Sequence, residues 1–213
     1  MHPVPGRLAR GALAAPLGRP AERTVVTHVI LFHHAQGLTD GVAEFAQRLR
    51  DAGHDVVVPD LYDGLTFDSI DAGVAHAEKL GFETIIERGT LAADALPPDT
   101  VYAGFSLGSL PAQKLAQTRP GALGALLYHG GVPAGSFASN WPGTVALQVH
   151  VGSGDEWVEL EDAEELVDEA GAAELFIYPT GGHLIADSSL EEYDEELAEL
   201  ILERSIQFLD RLG

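Results

Sequence analysis

The sequence contains no cysteine. Disulfides, thiolate metal sites and a cysteine nucleophile are therefore excluded, and the absence fits a reducing cytoplasm. Positive charge is scarce: 12 Lys and Arg stand against 33 Asp and Glu, a net charge of −21, and Lys79 and Lys114 are the lysines. Such a chain repels phosphate backbones and anionic lipid surfaces, which argues against nucleic-acid and membrane partners. Long hydrophobic runs are also missing, since no 18 consecutive apolar residues occur. What remains is an ordinary soluble composition, 46% apolar and 21% charged, on 213 residues, enough for one domain with a substantial core.

Residues 1–23 stand apart. They are rich in Ala, Gly, Pro and Leu and hold four arginines with one acidic residue, Glu22. Arg10 and Gly11 interrupt the short apolar stretch, so a disordered or upstream-derived leader is expected rather than an export signal. Residues 24–213 are expected to form one domain. There, apolar β-branched runs (25–32, 56–58, 100–104, 122–128, 145–151, 174–178) alternate with helical patterns (40–52, 68–80, 82–96, 110–117, 159–170, 189–211). That alternation predicts an α/β fold with a mostly parallel sheet covered on both faces, its reactive groups at the carboxyl ends of the strands.

Gly104-Phe105-Ser106-Leu107-Gly108 lies between a predicted strand and a predicted helix. A serine on so sharp a turn projects its hydroxyl off the sheet, and small flanking residues permit the close approach. Serine needs a base to accept its proton. Among nine histidines, His183 is best placed, following the last predicted strand across Pro179-Thr180-Gly181-Gly182. The carboxylate that orients it is expected at Asp155, on the loop after the 145–151 strand, with Glu156 and Asp187 as rivals. The order Ser106, Asp155, His183 is the one an α/β-hydrolase requires. Oxyanion donors are expected from the main chain of Leu107 and of the His33–Gly37 loop.

Four stretches, LFHHAQGLTDGV…LRDAGHDVVVPDLYDG, YAGFSLGS, HVGSGDEWV and YPTGGHLIAD, resemble the dienelactone hydrolase family of α/β-hydrolases over roughly residues 25–211. The resemblance implies a cofactor-free acyl-enzyme ester hydrolase with Ser106, Asp155 and His183 in the catalytic positions and Ala35 and Leu107 as oxyanion donors. Three positions depart from the best-known members: Ser106 replaces a cysteine, His34 a glutamate, and Asp187 an arginine that grips a substrate carboxylate. The last change disfavours an anionic lactone and points to a neutral ester or lactone.

His33 and His34 adjoin at a strand end, so their side chains take opposite faces; His34 is expected to face Ser106. His129, Tyr62 and Trp157 are further expected lining residues, whereas Phe105 and Trp141 read equally well as core. No H-x-x-x-H or H-x-H spacing occurs, so no metal site is expected from His34, His129, His183 and Asp155. The acidic runs 159–169 and 191–199 read as solvated helix faces. The expected activity is hydrolysis of a small-molecule ester or lactone. A non-catalytic fold binding a small ligand or a partner is the alternative, and acyl or carbon–carbon chemistry on the same triad is a third possibility. The oligomeric state is left open.

Overall fold

The computed structural model describes residues 26–171 and 173–213. The leader expected over residues 1–23 lies outside the described residues. Six strands form one sheet: β1 (His28–Phe32), β2 (Asp55–Val57), β3 (Thr100–Phe105), β4 (Gly124–Tyr128), β5 (Ala146–Gly152) and β6 (Ala173–Tyr178). Their spatial order is β2-β1-β3-β4-β5-β6, and every pairing is parallel. This is the α/β-hydrolase class of architecture. The sequence predicted a mostly parallel sheet; among the described residues it is wholly so.

Helices cover both faces. Helices α1 (Asp40–Asp51) and α6 (Glu195–Leu212) pack Val42, Phe45, Leu49, Ile201 and Phe208 against Val29, Leu31, Ala103 and Phe105. On the other face lie α2 (Ile70–Leu80), α3 (Phe82–Ala93), α4 (Ser109–Thr118) and α5 (Leu160–Ala170), which bury Ile85, Leu115 and Leu166 against Ile30, Tyr102, Leu127 and Val149. Alternate residues of β3 serve the two faces, as a strand buried on both sides demands. None of the helices among the described residues is long and apolar enough to cross a membrane.

The last helix begins at Glu195 rather than near 189. Residues 184–194 instead form a chain of turns, and the Asp194 side chain accepts from Leu197 N–H at 3.0 Å to start α6. The chain enters at β1, pairs β2 on one side, then crosses to β3 on the other. The strand order therefore reverses between β1 and β3, and the crevice beyond their carboxyl ends is where such sheets bind ligands.

Candidate active site

Ser106 is the first residue after β3, at the head of a 3₁₀ turn (Ser106–Gly108) that runs into α4. Its φ is +48°, a left-handed conformation that costs a non-glycine residue about 1–3 kcal/mol. Two glycines permit the turn. A Cβ on Gly104 would lie 2.1 Å from the Gly108 carbonyl oxygen, and one on Gly108 would lie 2.5 Å from the Phe32 carbonyl oxygen. The turn is thus pressed against the end of β1.

The Ser106 hydroxyl donates to His183 Nε2 at 2.7 Å, and His183 Nδ1–H donates to Asp155 Oδ2 at 2.7 Å. Asp155 Oδ1 also accepts from Trp157 N–H at 2.9 Å, which fixes the plane of the carboxylate. The histidine main chain is held as well, by Glu192 Oε2 at 2.8 Å from its N–H. Asp155 and His183 are buried, whereas the rival Glu156 is exposed at the cavity mouth. Of the three candidate carboxylates, Asp155 is the one that meets His183.

The turn after β1 is fixed from both sides. His33 donates from Nδ1 to the His34 carbonyl at 2.8 Å and accepts at Nε2 from Leu61 N–H at 3.0 Å. Burial pushes its pKa down to about 4, so it stays neutral. Gln36 N–H bonds His34 Nδ1 at 3.2 Å and Gly37 N–H bonds the His34 carbonyl at 3.0 Å. The Ala35 N–H, on a residue only 2% exposed, finds no acceptor among the described residues.

His34 was expected to face the serine, and here the structure corrects the sequence. Its Nε2–H donates to Asp187 Oδ2 at 2.7 Å, and both side chains are buried. Asp187 also accepts from Thr39 Oγ1, from Ser189 N–H at 2.9 Å and from Ser189 Oγ at 2.6 Å, at the N-terminus of α1. Burial alone would raise its pKa, but the bonds from His34, Ser189 and Thr39 outweigh that and hold the carboxyl below its usual value. Gly41 leaves it room, since a Cβ there would fall 1.8 Å from Asp187 Oδ1. The Asp187 carboxylate is thus buried and saturated with donors from its own chain.

The sequence model described as the Dienelactone hydrolase family matches residues 13–213. The chain belongs to the dienelactone hydrolase family. Among solved structures it is similar to a dienelactone hydrolase-like promiscuous phosphotriesterase, P91, from metagenomic libraries (21% identity, TM-score 0.65, covering 87% of this chain and 86% of that one). It is also similar to a dienelactone hydrolase from Anabaena variabilis (20%, 0.62, 88% and 85%) and to a cold-adapted esterase from an Arctic intertidal metagenomic library (18%, 0.58, 91% and 85%). A search of curated proteins found no match.

In this member of the dienelactone hydrolase family, a cavity of about 440 Å³ opens beside His183 and is lined by Gln36, Ile70, Glu156, Trp157, Gly181 and Glu192. Trp157 is 49% exposed at this cavity, with its ring 6.2 Å from that of His183. Tyr62, also expected to line the site, does not. It is buried, packed edge-on against His33 at 5.0 Å and His76 at 4.8 Å, and serves the core, as do Phe105 and Trp141. His129 is also buried rather than open to the cleft. Its ring lies 6.0 Å from His183 and stacks on Phe105 at 6.2 Å, with neither nitrogen partnered among the described residues. Burial, followed by the neighbouring His183, drives its pKa well below the usual value, so the ring is neutral. No group of three or more His, Cys, Asp or Glu able to hold a metal occurs among the described residues.

Sequence reasoning missed Glu192 and Gln36. Glu192 was absorbed into an acidic run, and no local pattern sets it apart from Glu191. Gln36 lies within the turn already singled out, but a main-chain role for that turn says nothing about which side chain reaches the cavity.

Proposed function

We propose that this protein is a serine hydrolase of small neutral carboxylic esters or lactones, acting through an acyl-enzyme. The unbroken hydrogen-bonded series Ser106–His183–Asp155, with both bonds at 2.7 Å, carries this reading. Ser106 Oγ attacks the carbonyl carbon while His183 Nε2 takes its proton. Asp155 holds the Nδ1–H tautomer and stabilises the imidazolium. The Leu107 and Ala35 N–H groups receive the developing oxyanion, a role supported by the Ala35 N–H, which has no acceptor among the described residues. His183 then gives the proton to the leaving alcohol, and the same pair of transfers from water releases the acid. No cofactor is needed.

Substrate charge is constrained by the cavity. Glu156 and Glu192 line it, and among the described residues neither Lys nor Arg does. Asp187, where the family resemblance implied a carboxylate-gripping arginine, is sequestered by its own donors. A neutral acyl group therefore suits the site better than an anionic one.

Turnover of p-nitrophenyl acetate by the wild type and by Ser106→Ala tests the proposal. Loss of turnover, together with fluorophosphonate labelling of Ser106 in the wild type, is expected. Wild-type activity in Ser106→Ala would end the mechanism, and an inert, unlabelled wild type would leave a binding protein.

A further inference from the structure

Resting on the serine-hydrolase reading, we propose that His34 and Asp187 are positioning residues: their buried bond locks the oxyanion turn to the loop that carries the catalytic histidine. His34 Nε2 and Asp187 Oδ2 are 2.7 Å apart, and the two residues lie 153 positions apart in sequence. His34 immediately precedes the proposed donor Ala35, and Asp187 follows His183 by four residues. The bond therefore joins two pieces of machinery that arrive from opposite ends of the chain.

The His34 ring also sorts the donors of the turn. Its Nδ1 accepts the Gln36 N–H, and its carbonyl accepts the Gly37 N–H. Ala35 is left as the N–H without an acceptor among the described residues. Because Nδ1 is an acceptor, Nε2 must carry the proton, and the carboxylate of Asp187 is its matched partner. The remaining donors, Thr39 Oγ1 and the N–H and Oγ of Ser189, fix Asp187 against the first turn of α1. Rotation of the His34 ring would disrupt two bonds at once, so the direction of the Ala35 N–H is set by an anchor outside its own turn. The far side of the turn is blocked by α2, where Gly73 passes so close that a Cβ would lie 2.1 Å from the Ala35 carbonyl oxygen.

An oxyanion donor acts only on the tetrahedral state, and a misplacement of about 1 Å can cost about 10²-fold in rate. His34→Leu keeps the volume but removes the lock, and it is expected to lower kcat for p-nitrophenyl acetate about 10²-fold with KM changed less than about threefold. Affinity for a trifluoromethyl ketone, which forms a tetrahedral adduct on serine, should weaken by a similar factor. His34→Gln, whose amide can still donate toward Asp187, should recover at least about tenfold in kcat. A His34→Leu enzyme with kcat within threefold of wild type, or a loss expressed in KM alone, overturns the proposal, as does a His34→Gln variant no better than His34→Leu. If His34→Leu fails to fold, Asp187→Asn replaces it: about a tenfold fall in kcat supports the lock, and an unchanged kcat overturns it. Failure of the parent reading is distinct, because there Ser106→Ala would itself remain active.

Discussion

Several buried histidines should make this protein acid-labile in a way that one substitution can measure. His150 is fully enclosed on β5: its Nδ1 accepts from the Tyr178 hydroxyl at 2.7 Å, and its Nε2–H donates to Gln148 Oε1 at 2.9 Å. Burial pushes its pKa down to about 3, with the Arg204 charge acting in the same direction, and His33 is pushed to about 4. Burial lowers His129 and His54 as well. In the unfolded chain these rings titrate near 6.5. As pH falls through 6.5 the unfolded state therefore binds protons that the folded state refuses, and stability is lost progressively down to the folded-state values. Between pH 8 and pH 5, His150 and His33 each contribute a loss of about 2 kcal/mol, a large part of a typical margin of about 5–15 kcal/mol. Relief of self-repulsion in a chain of net charge −21 acts in the opposite direction, so the raw pH profile mixes the two. His150→Gln separates them, because an amide can accept from Tyr178 and donate to Gln148 without titrating. Urea midpoints at pH 8 and pH 5 should show the variant losing about 2 kcal/mol less than wild type over that interval. Equal losses in the two proteins would refute the reasoning.

Three further outcomes are expected. Asp155→Asn should lower kcat by about 10³–10⁴-fold with little change in Tm, because an amide donating to Nδ1 selects the wrong tautomer of His183; parallel kinetics and thermal melts check it. Gly108→Ala should lower both Tm and kcat, even though Gly→Ala is ordinarily favourable by about 1 kcal/mol in a helix, because its Cβ would lie 2.5 Å from the Phe32 and 2.6 Å from the His33 carbonyl oxygens. Tyr62→Phe should leave Tm unchanged or raised and kcat within about twofold, since it removes a buried hydroxyl that has no partner among the described residues; a drop of more than about 1 kcal/mol in a urea titration would contradict this.

The parts of this protein that were legible in its sequence are those governed by short-range rules. Alternating apolar runs identified the strands, because a strand buried on both faces tolerates little else. The flanking glycines exposed the serine turn, since steric fit there is local: Gly104 and Gly108 meet each other across four residues. The sequence put His183 and Asp155 on loops after strands because parallel sheets gather such loops at one end, and there the two side chains are hydrogen-bonded. The side chains that were misplaced depend on partners far away in sequence. His34 turns toward Asp187 because Thr39 and Ser189 have already built an anion site at the start of α1, and nothing near residue 34 records that. Tyr62 is drawn into the core by His33, Phe67 and His76, contacts set by where α2 happens to pack. The start of α6 was misjudged because acidic residues at 191–196 suit a helix face and a series of turns equally well, and the Asp194 cap decides between them.

The geometry of the sheet explains why the histidine loop must be held so firmly. Ser106 stands at the end of β3 and His183 follows β6, three strands away, or about 14 Å at the usual strand spacing. The five residues after Tyr178 can span only about 17 Å when extended. The two side chains close much of the distance between the strands, so the loop is not stretched: it turns as it leaves β6, with Thr180 N–H bonding the Tyr178 carbonyl at 2.9 Å and Gly182 N–H bonding Thr180 Oγ1 at 3.1 Å. Its course is fixed by main-chain bonds that prolong the β5–β6 pairing beyond the strands: Ser153 N–H to the Tyr178 carbonyl at 2.8 Å and Gly154 N–H to the Thr180 carbonyl at 2.9 Å. Gly181 and Gly154 pass close enough that a Cβ on Gly181 would lie 3.3 Å from the Gly154 carbonyl oxygen. Asp155 and His183 thus arrive as one preassembled pair. The serine and the proposed oxyanion turn form a second unit on β3 and β1, so the proposed mechanism requires the two units to be aligned across β4. Lengthening the 179–182 segment by a single residue should disturb that alignment more than most side-chain changes around it, because it shifts His183 relative to the Ser153–Tyr178 and Gly154–Thr180 bonds that register its loop on the one carrying Asp155.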